Sequence, residues 1–180
     1  TKNIEEVAER LQDIGIQALT IHGRTRAQLY KGEADWTLIR EIKRNPRIKI
    51  PIFGNGDVDS PEKAANWRLE YEVDGIMIGR AAIGYPWIFR EVKHFFETGE
   101  HLAGPTLQER IDTCRTHLQK SIEWKGPKTG IYEMRRHYAN YFKGIANFKD
   151  YRIKLVSLET EAQIEDVLND IGNKFELEFV

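Results

Sequence analysis

Up to about residue 97, short apolar runs rich in β-branched residues alternate with stretches whose apolar residues recur at helical spacing. Val7, Leu11 and Ile14 form the first such stripe, predicting a helix over Ile4–Ile14 with Asn3 as N-cap, Glu6 at the capping-box position and Gly15 as its end. Ala18–Ile21 reads as a buried strand, followed by a polar loop from His22 to Asp35. A helix is predicted over Trp36–Arg44, capped by Asp35 and stopped at Asn45-Pro46. Ile50–Phe53 is the next strand, with Pro51 near its start, and Gly54-Asn55-Gly56-Asp57 is a turn. Ser60-Pro61-Glu62 opens a third helix, with proline at the first helical position. Gly75–Ile78 is a third strand, Gly79-Arg80 opens a short helical turn, and a helix is expected from Pro86 to about Glu97.

Beyond about residue 105 the strand signal almost vanishes. Residues 98–106 (TGEHLAGPT) read as a linker. Thr106 and Glu109 form a capping box for a helix reaching about Lys125, with Leu107, Ile111, Cys114, Leu118 and Ile122 as its apolar stripe. Gly126-Pro127 breaks it. Further helices are predicted over Ile131–Ile145 and over Thr160–Ile171, the latter capped by Thr160. The expected organisation is therefore a strand–loop–helix region over 1–97, a linker over 98–106, and a small all-α bundle over 107–180. Strands buried on both faces belong in a parallel sheet with crossover helices. Three such units have the spacing of a (β/α)8 barrel or a doubly wound sheet. A whole barrel takes about 250 residues, so only part of one fits.

Composition narrows the class. The chain has 180 residues, 41% hydrophobic and 31% charged, enough for a packed core. No apolar run is long enough to span a membrane, and the polar start shows no secretory signal, so a cytoplasmic location is expected. The first residue is Thr rather than Met, which suggests that a preceding segment has been removed. A single cysteine, Cys114 on an apolar stripe, excludes a disulfide framework and reads as a buried thiol. No His/Asp/Glu cluster has metal-ligand spacing, so no metal is expected. The net charge of −1 conceals a basic block: residues 107–158 hold 11 Lys+Arg against 5 Asp+Glu, and residues 159–180 hold 1 against 7. The basic block suggests an anionic partner, and the acidic last helix is expected to pack on it.

Candidate chemistry gathers at the strand ends. In parallel α/β architectures ligands sit beyond the carboxyl ends of the strands. His22-Gly23-Arg24-Thr25-Arg26 puts an imidazole and two guanidinium groups there, which suits an anion or a polarised carbonyl. Gly54-Asn55-Gly56-Asp57 offers close backbone approach and polyol hydrogen bonding, although a simple turn uses the same residues. Gly79-Arg80-Ala81-Ala82 offers helix-start amides and a cation for phosphate. In the helical part, Lys125, Lys128, Arg135, Arg136, His137, Tyr138, Tyr141 and Lys143 interleave basic and aromatic residues, as RNA contact or partly as core.

Three groups of residues together resemble the tRNA-dihydrouridine synthases, closest to their bacterial NifR3-like branch. The first is Ile21–Arg26 with Tyr30, Gly32 and Ala34-Asp35-Trp36. The second is Gly54–Asp57 and Ile78–Ala81 with Gly84 and Pro86–Phe89. The third is Glu133–His137 with Tyr141 and Lys143-Gly144. The resemblance runs to about residue 150. It implies the carboxyl-terminal part of an FMN-containing TIM (β/α)8 barrel followed by a helical tRNA-binding domain, in an enzyme that reduces uridine in tRNA to dihydrouridine with NADPH. By resemblance, His22 lies by the flavin, bonding its ring or orienting substrate. Asn55, Gly56 and Asp57 line the ribityl-phosphate side, and Gly79 and Arg80 hold the phosphate. Arg24 serves the cofactor, and Arg26, Lys128, Arg135, Arg136, His137 and Lys143 face the tRNA.

Hydride transfer to uracil also needs an acid to protonate the neighbouring carbon. In the family that acid is a cysteine on an earlier barrel loop, and a lysine on another earlier strand contacts the flavin. Neither has a counterpart in this sequence, so the chain alone is not expected to reduce tRNA uridine. Two other readings stay open: a non-catalytic RNA-binding module, and another FMN- or phosphate-binding barrel oxidoreductase. A partial barrel would also leave free sheet edges, favouring self-association.

Overall fold

A computed structural model describes residues 3–175. The chain divides into two units. The first comprises Thr1–Ala82 with Ile88–Leu102, and the second Ile83–Trp87 with Ala103–Val180. Residues 176–180, at the end of the expected helical region, lie outside the described residues.

The first unit runs α1 (Ile4–Asp13), β1 (Leu19–His22), α2 (Thr37–Arg44), β2 (Ile52–Asn55), α3 (Pro61–Glu70), β3 (Gly75–Met77), a 3-10 turn (Arg80–Ala82) and α4 (Ile88–Thr98). The strands form one parallel sheet in the order β1-β2-β3, as expected for strands joined by crossover helices. The register sets His22 beside Asn55 and Asn55 beside Met77, so the strands' carboxyl ends form one edge. This is a helix-rich α/β arrangement consistent with part of a barrel.

Trp36 is the centre of this unit's packing. It is 1% exposed, its ring lies edge-on to Trp67 with centroids 4.9 Å apart, and its indole N–H donates to the Gly56 carbonyl at 3.2 Å. The ring covers Gly54 so closely that a Cβ there would overlap it. Ile21, Ile39, Ile42 and Ile52 are buried in the same unit, each contributing roughly 1.5–3 kcal/mol by leaving water.

Several boundaries differ from the sequence expectation. β2 starts two residues late, because Pro51 has no N–H to give to a ladder; its carbonyl instead accepts from Leu19 N at 3.0 Å. Gly54 and Asn55 thus belong to the strand and not to the turn. Asn3 makes no side-chain capping bond to α1. Asp35 does act at the start of α2, accepting from the backbone and hydroxyl of Thr37 at 3.0 and 2.6 Å. α4 begins at Ile88, and Pro86 and Trp87 belong to the second unit.

The second unit contains α5 (Leu107–Lys125), α6 (Pro127–Tyr141), α7 (Lys149–Ser157) and α8 (Glu161–Phe175). The capping box is made: Thr106 accepts from Glu109 N, and Glu109 accepts from Thr106 N. α6 starts at once after Gly126, with Pro127 at the first helical position where its missing N–H costs nothing, four residues ahead of the expected start. α7 was not expected from the sequence at all. It forms because Tyr151 and Leu155, one turn apart, are buried, and Phe148 stacks between Phe142 and Tyr151. Cys114, Leu118, Met134, Tyr138, Leu155, Ile164 and Leu168 share the core.

Gly54→Ala should force the Trp36 ring out of place. We expect a loss of about 1–3 kcal/mol or more, read as a lower urea midpoint.

Candidate functional site

The loops that follow the three strands converge on Asp57. Its Oδ2 accepts from Arg24 Nη2 at 2.5 Å and from the Ala34 amide at 2.7 Å, and its Oδ1 accepts from Arg80 Nη2 at 2.6 Å. One carboxylate therefore joins the β1, β2 and β3 loops. Asp57 adopts a left-handed backbone (φ 58°) directly after Gly56 (φ 123°), a pairing that turns the chain sharply off the end of β2. Burial would raise the Asp57 carboxyl. The hydrogen bonds from Arg24 and Ala34 and the charges of Arg24 and Arg80 outweigh it and hold the group below its ordinary value.

Arg24 is turned inward. Its side chain is 3% exposed, and Nη2 also donates to the Gly32 carbonyl at 2.6 Å, while Nε and Nη1 are buried without a partner. Its position is that of a support for the loops and a buried positive charge beneath them. Arg80 is different: half-exposed, with its guanidinium 4.6 Å from the centroid of the exposed Tyr30 ring.

His22 ends β1. The backbone N–H of Arg24 donates to its Nδ1 at 3.0 Å, which makes Nε2 the protonated nitrogen of the neutral ring. Burial, followed by the charge of Arg24, pushes its pKa down, so the neutral form prevails at pH 7. The ring lies against Gly56. His22, Arg24, Asn55, Asp57, Gly79 and Arg80 all line one open pocket of about 930 Å³. Gly56 lines it too, and a Cβ at Gly79 would meet nothing. The Asn55 side chain is committed to the sheet, donating to the Met77 carbonyl at 2.7 Å. Arg26 does not join this group. It is exposed and lines a second depression of about 460 Å³ shared with α1 and β1. Sequence reasoning missed the Trp67 and Tyr71 rings of the pocket wall, whose spacing of one turn at the end of α3 could have marked them.

The remaining expected residues lie in the second unit. On α6, Lys128 is exposed, Arg136 donates to His137 Nε2 at 3.2 Å, and Arg135 donates to the Leu158 carbonyl at 3.1 Å. Lys143 lies exposed just past the helix. The His137 ring lies tilted against His117, centroids 4.7 Å apart, and His117 Nδ1 pairs with the Tyr141 hydroxyl at 3.0 Å. His117 was not foreseen; it sits on α5 and no sequence spacing links it to α6. Burial lowers the pKa of both imidazoles, assisted by nearby cations. Tyr138 and Tyr141 are core residues. Burial likewise pushes the Cys114 thiol up to about 12.

Two expectations follow. Asp57→Asn keeps a residue tolerant of the left-handed backbone but leaves Arg24 buried and uncompensated. We expect a loss of about 3–5 kcal/mol in urea unfolding. His22, His117 and His137 bind a proton less readily folded than unfolded. Their contribution to stability is thus present above the unfolded value of 6.5 and is lost as pH falls through it. Ring titrations followed by NMR should give midpoints below 6.5 in the folded protein, and His117→Phe should flatten the acid loss of stability.

A family model described as dihydrouridine synthase matches residues 1–176. The chain is 44% identical over 167 residues to tRNA-dihydrouridine synthase B of Pseudomonas putida, covering 92% of this chain and 49% of that protein. It is 40% identical over 175 residues to tRNA-dihydrouridine synthase B of Escherichia coli, covering 97% and 54%. A probable tRNA-dihydrouridine synthase 1 of Synechocystis is 40% identical over 167 residues, covering 93% and 46%. The chain spans about half the length of these curated relatives. Among the described residues no helix is long and apolar enough to cross a membrane. On the extent of the family match, the chain belongs to the dihydrouridine synthase family.

Proposed function

We propose that this chain supplies the cofactor-holding part of a (β/α)8 barrel and the RNA-facing helices of an enzyme that reduces uridine in tRNA to 5,6-dihydrouridine, with FMN and NADPH. The observation that carries the reading is the convergence of His22, Asn55–Asp57 and Gly79-Arg80 on one pocket at the strands' carboxyl edge. The residues suit an anionic, planar cofactor. Arg80 presents a half-exposed cation, and Arg24 places buried, unpartnered guanidinium nitrogens below the loops. When bound, FMN supplies the hydride that saturates the C5–C6 bond of uracil, NADPH being the reductant.

The chain's own residues have distinct tasks in this reading. Arg80 grips phosphate beside the open backbone of Gly79. Asp57 and Arg24 position Arg80. His22, neutral with Nε2–H as donor, bonds a carbonyl of the flavin or of the uracil. Arg26 and the cations of α6 meet RNA phosphates. The proton for the second uracil carbon must come from elsewhere, because Cys114 is buried among α-helices with its thiol pushed up to about 12. That observation favours one alternative for the isolated chain: an RNA-binding module without turnover.

Titration of the purified chain with FMN, followed by flavin fluorescence, separates the two readings. The flavoenzyme reading expects saturable binding, weakened about 10- to 100-fold by Arg80→Ala through loss of a charge-assisted contact. No saturable binding, together with a salt-dependent tRNA shift, would assign the chain to the RNA-binding alternative.

A further inference from the structure

Trp124 is 83% exposed, the most exposed large hydrophobic side chain among the described residues. It stands on the last turn of α5, outside the stripe of Leu107, Ile111, Cys114 and Leu118 that faces the core. Folding leaves its indole in water, and burial within the unit does not explain it. The adjacent Lys125 ammonium lies 5.0 Å from its ring centroid. On the partner helix of this antiparallel pair the arrangement recurs: Tyr132 is 48% exposed, with the Arg135 guanidinium 4.1 Å from its centroid. Over residues 120–136 there are five Lys+Arg (Lys120, Lys125, Lys128, Arg135, Arg136) against two carboxylates, Glu123 and Glu133.

We propose that Trp124 is a stacking platform for an unpaired RNA base, with Lys125 and Lys128 taking the flanking phosphates. The proposal rests on the RNA-binding reading of the helical unit and adds a residue to it. Exposed aromatics set among cations are what sequence-tolerant single-strand recognition uses: the ring takes a base face and the cations follow the backbone. A protein partner fits this chemistry less well, because lysine is depleted at the buried centres of protein interfaces. The local excess of cations selects a polyanion. Exposure of Trp124 also means that substituting it removes no core contact.

The test uses the whole chain with an unmodified tRNA transcript and, separately, a blunt RNA duplex. Trp36 and Trp87 are 1% and 7% exposed and Trp67 is half-buried in the pocket wall of the first unit, so the Trp124 share of any tRNA-induced quenching is read as the difference between the native chain and Trp124→Phe, which should lose most of it. In a label-free binding assay, Trp124→Phe should keep near-native tRNA affinity, because phenylalanine still stacks. Trp124→Leu and Trp124→Ala should weaken it about 5- to 100-fold with unchanged circular dichroism. Duplex affinity should not move. Native affinity in the Leu variant, or equal weakening for duplex and tRNA, would overturn the platform while leaving RNA binding by the unit intact. Failure of the native chain to bind tRNA would overturn both. Loss of self-association in the variants, with tRNA affinity unchanged, would reassign the ring to a protein contact.

Discussion

The pocket at the strands' carboxyl edge depends on the Asp57 carboxylate. Asp57 ties the loops after β1, β2 and β3 together, through Arg24 and Arg80 and through the Ala34 amide. Arg24 and Ala34 come from the loop after β1 and Arg80 from the loop after β3, so the bond set forms only when the parallel sheet has its register. Arg24 in turn would be an intolerable buried cation without Asp57. The site and the fold of the first unit therefore share one set of interactions, and the left-handed backbone at Asp57 is held by them.

Beneath the carboxylate, size exclusion sets the geometry. Trp36 occupies the space above Gly54 and bonds the Gly56 carbonyl, which fixes the strand end from which Asp57 projects. The same loop then packs against the His22 ring at Gly56. Imidazole, carboxylate and indole are thus coupled through two glycines. The Arg24 amide, two residues on in the chain, sets the tautomer of His22.

Much of this was legible in the sequence, and the failures have physical causes. The strand-end positions of His22, Asn55–Asp57 and Arg80 follow from β-branched runs ending in polar loops, a local signal. The inward turn of Arg24 is not local; it depends on Asp57, 33 positions away, and an arginine in a polar loop reads naturally as a ligand group. The start of β2 was misplaced because its apolar run begins at Ile50, whereas ladder bonding begins after Pro51. α7 was missed because its tyrosine and basic residues form no strong stripe; the rings of Phe148 and Phe175, distant in sequence from one another, give Tyr151 something to pack on. Trp124 escaped notice because indole is counted as core by composition, and exposure is known only from the fold.

The charge segregation along the chain also acquires a physical sense. Two acids of α8, Glu165 and Asp170, could have screened the basic helices from a polyanion, but they are used on α5 and α7. Glu165 accepts from Arg115 at 2.7 Å, and Asp170 accepts from the Tyr151 hydroxyl at 2.9 Å. The cations at the α5–α6 corner are treated differently: Lys125 of α5 and Arg136 of α6 share the single carboxylate of Glu133. One negative charge between two positive ones orders the side chains without neutralising them. The acidic helix thus stabilises the unit from one side, and the α5–α6 corner keeps a net positive field. A helix pair built this way can hold its cations in place before an anion arrives, which lowers the ordering cost of binding.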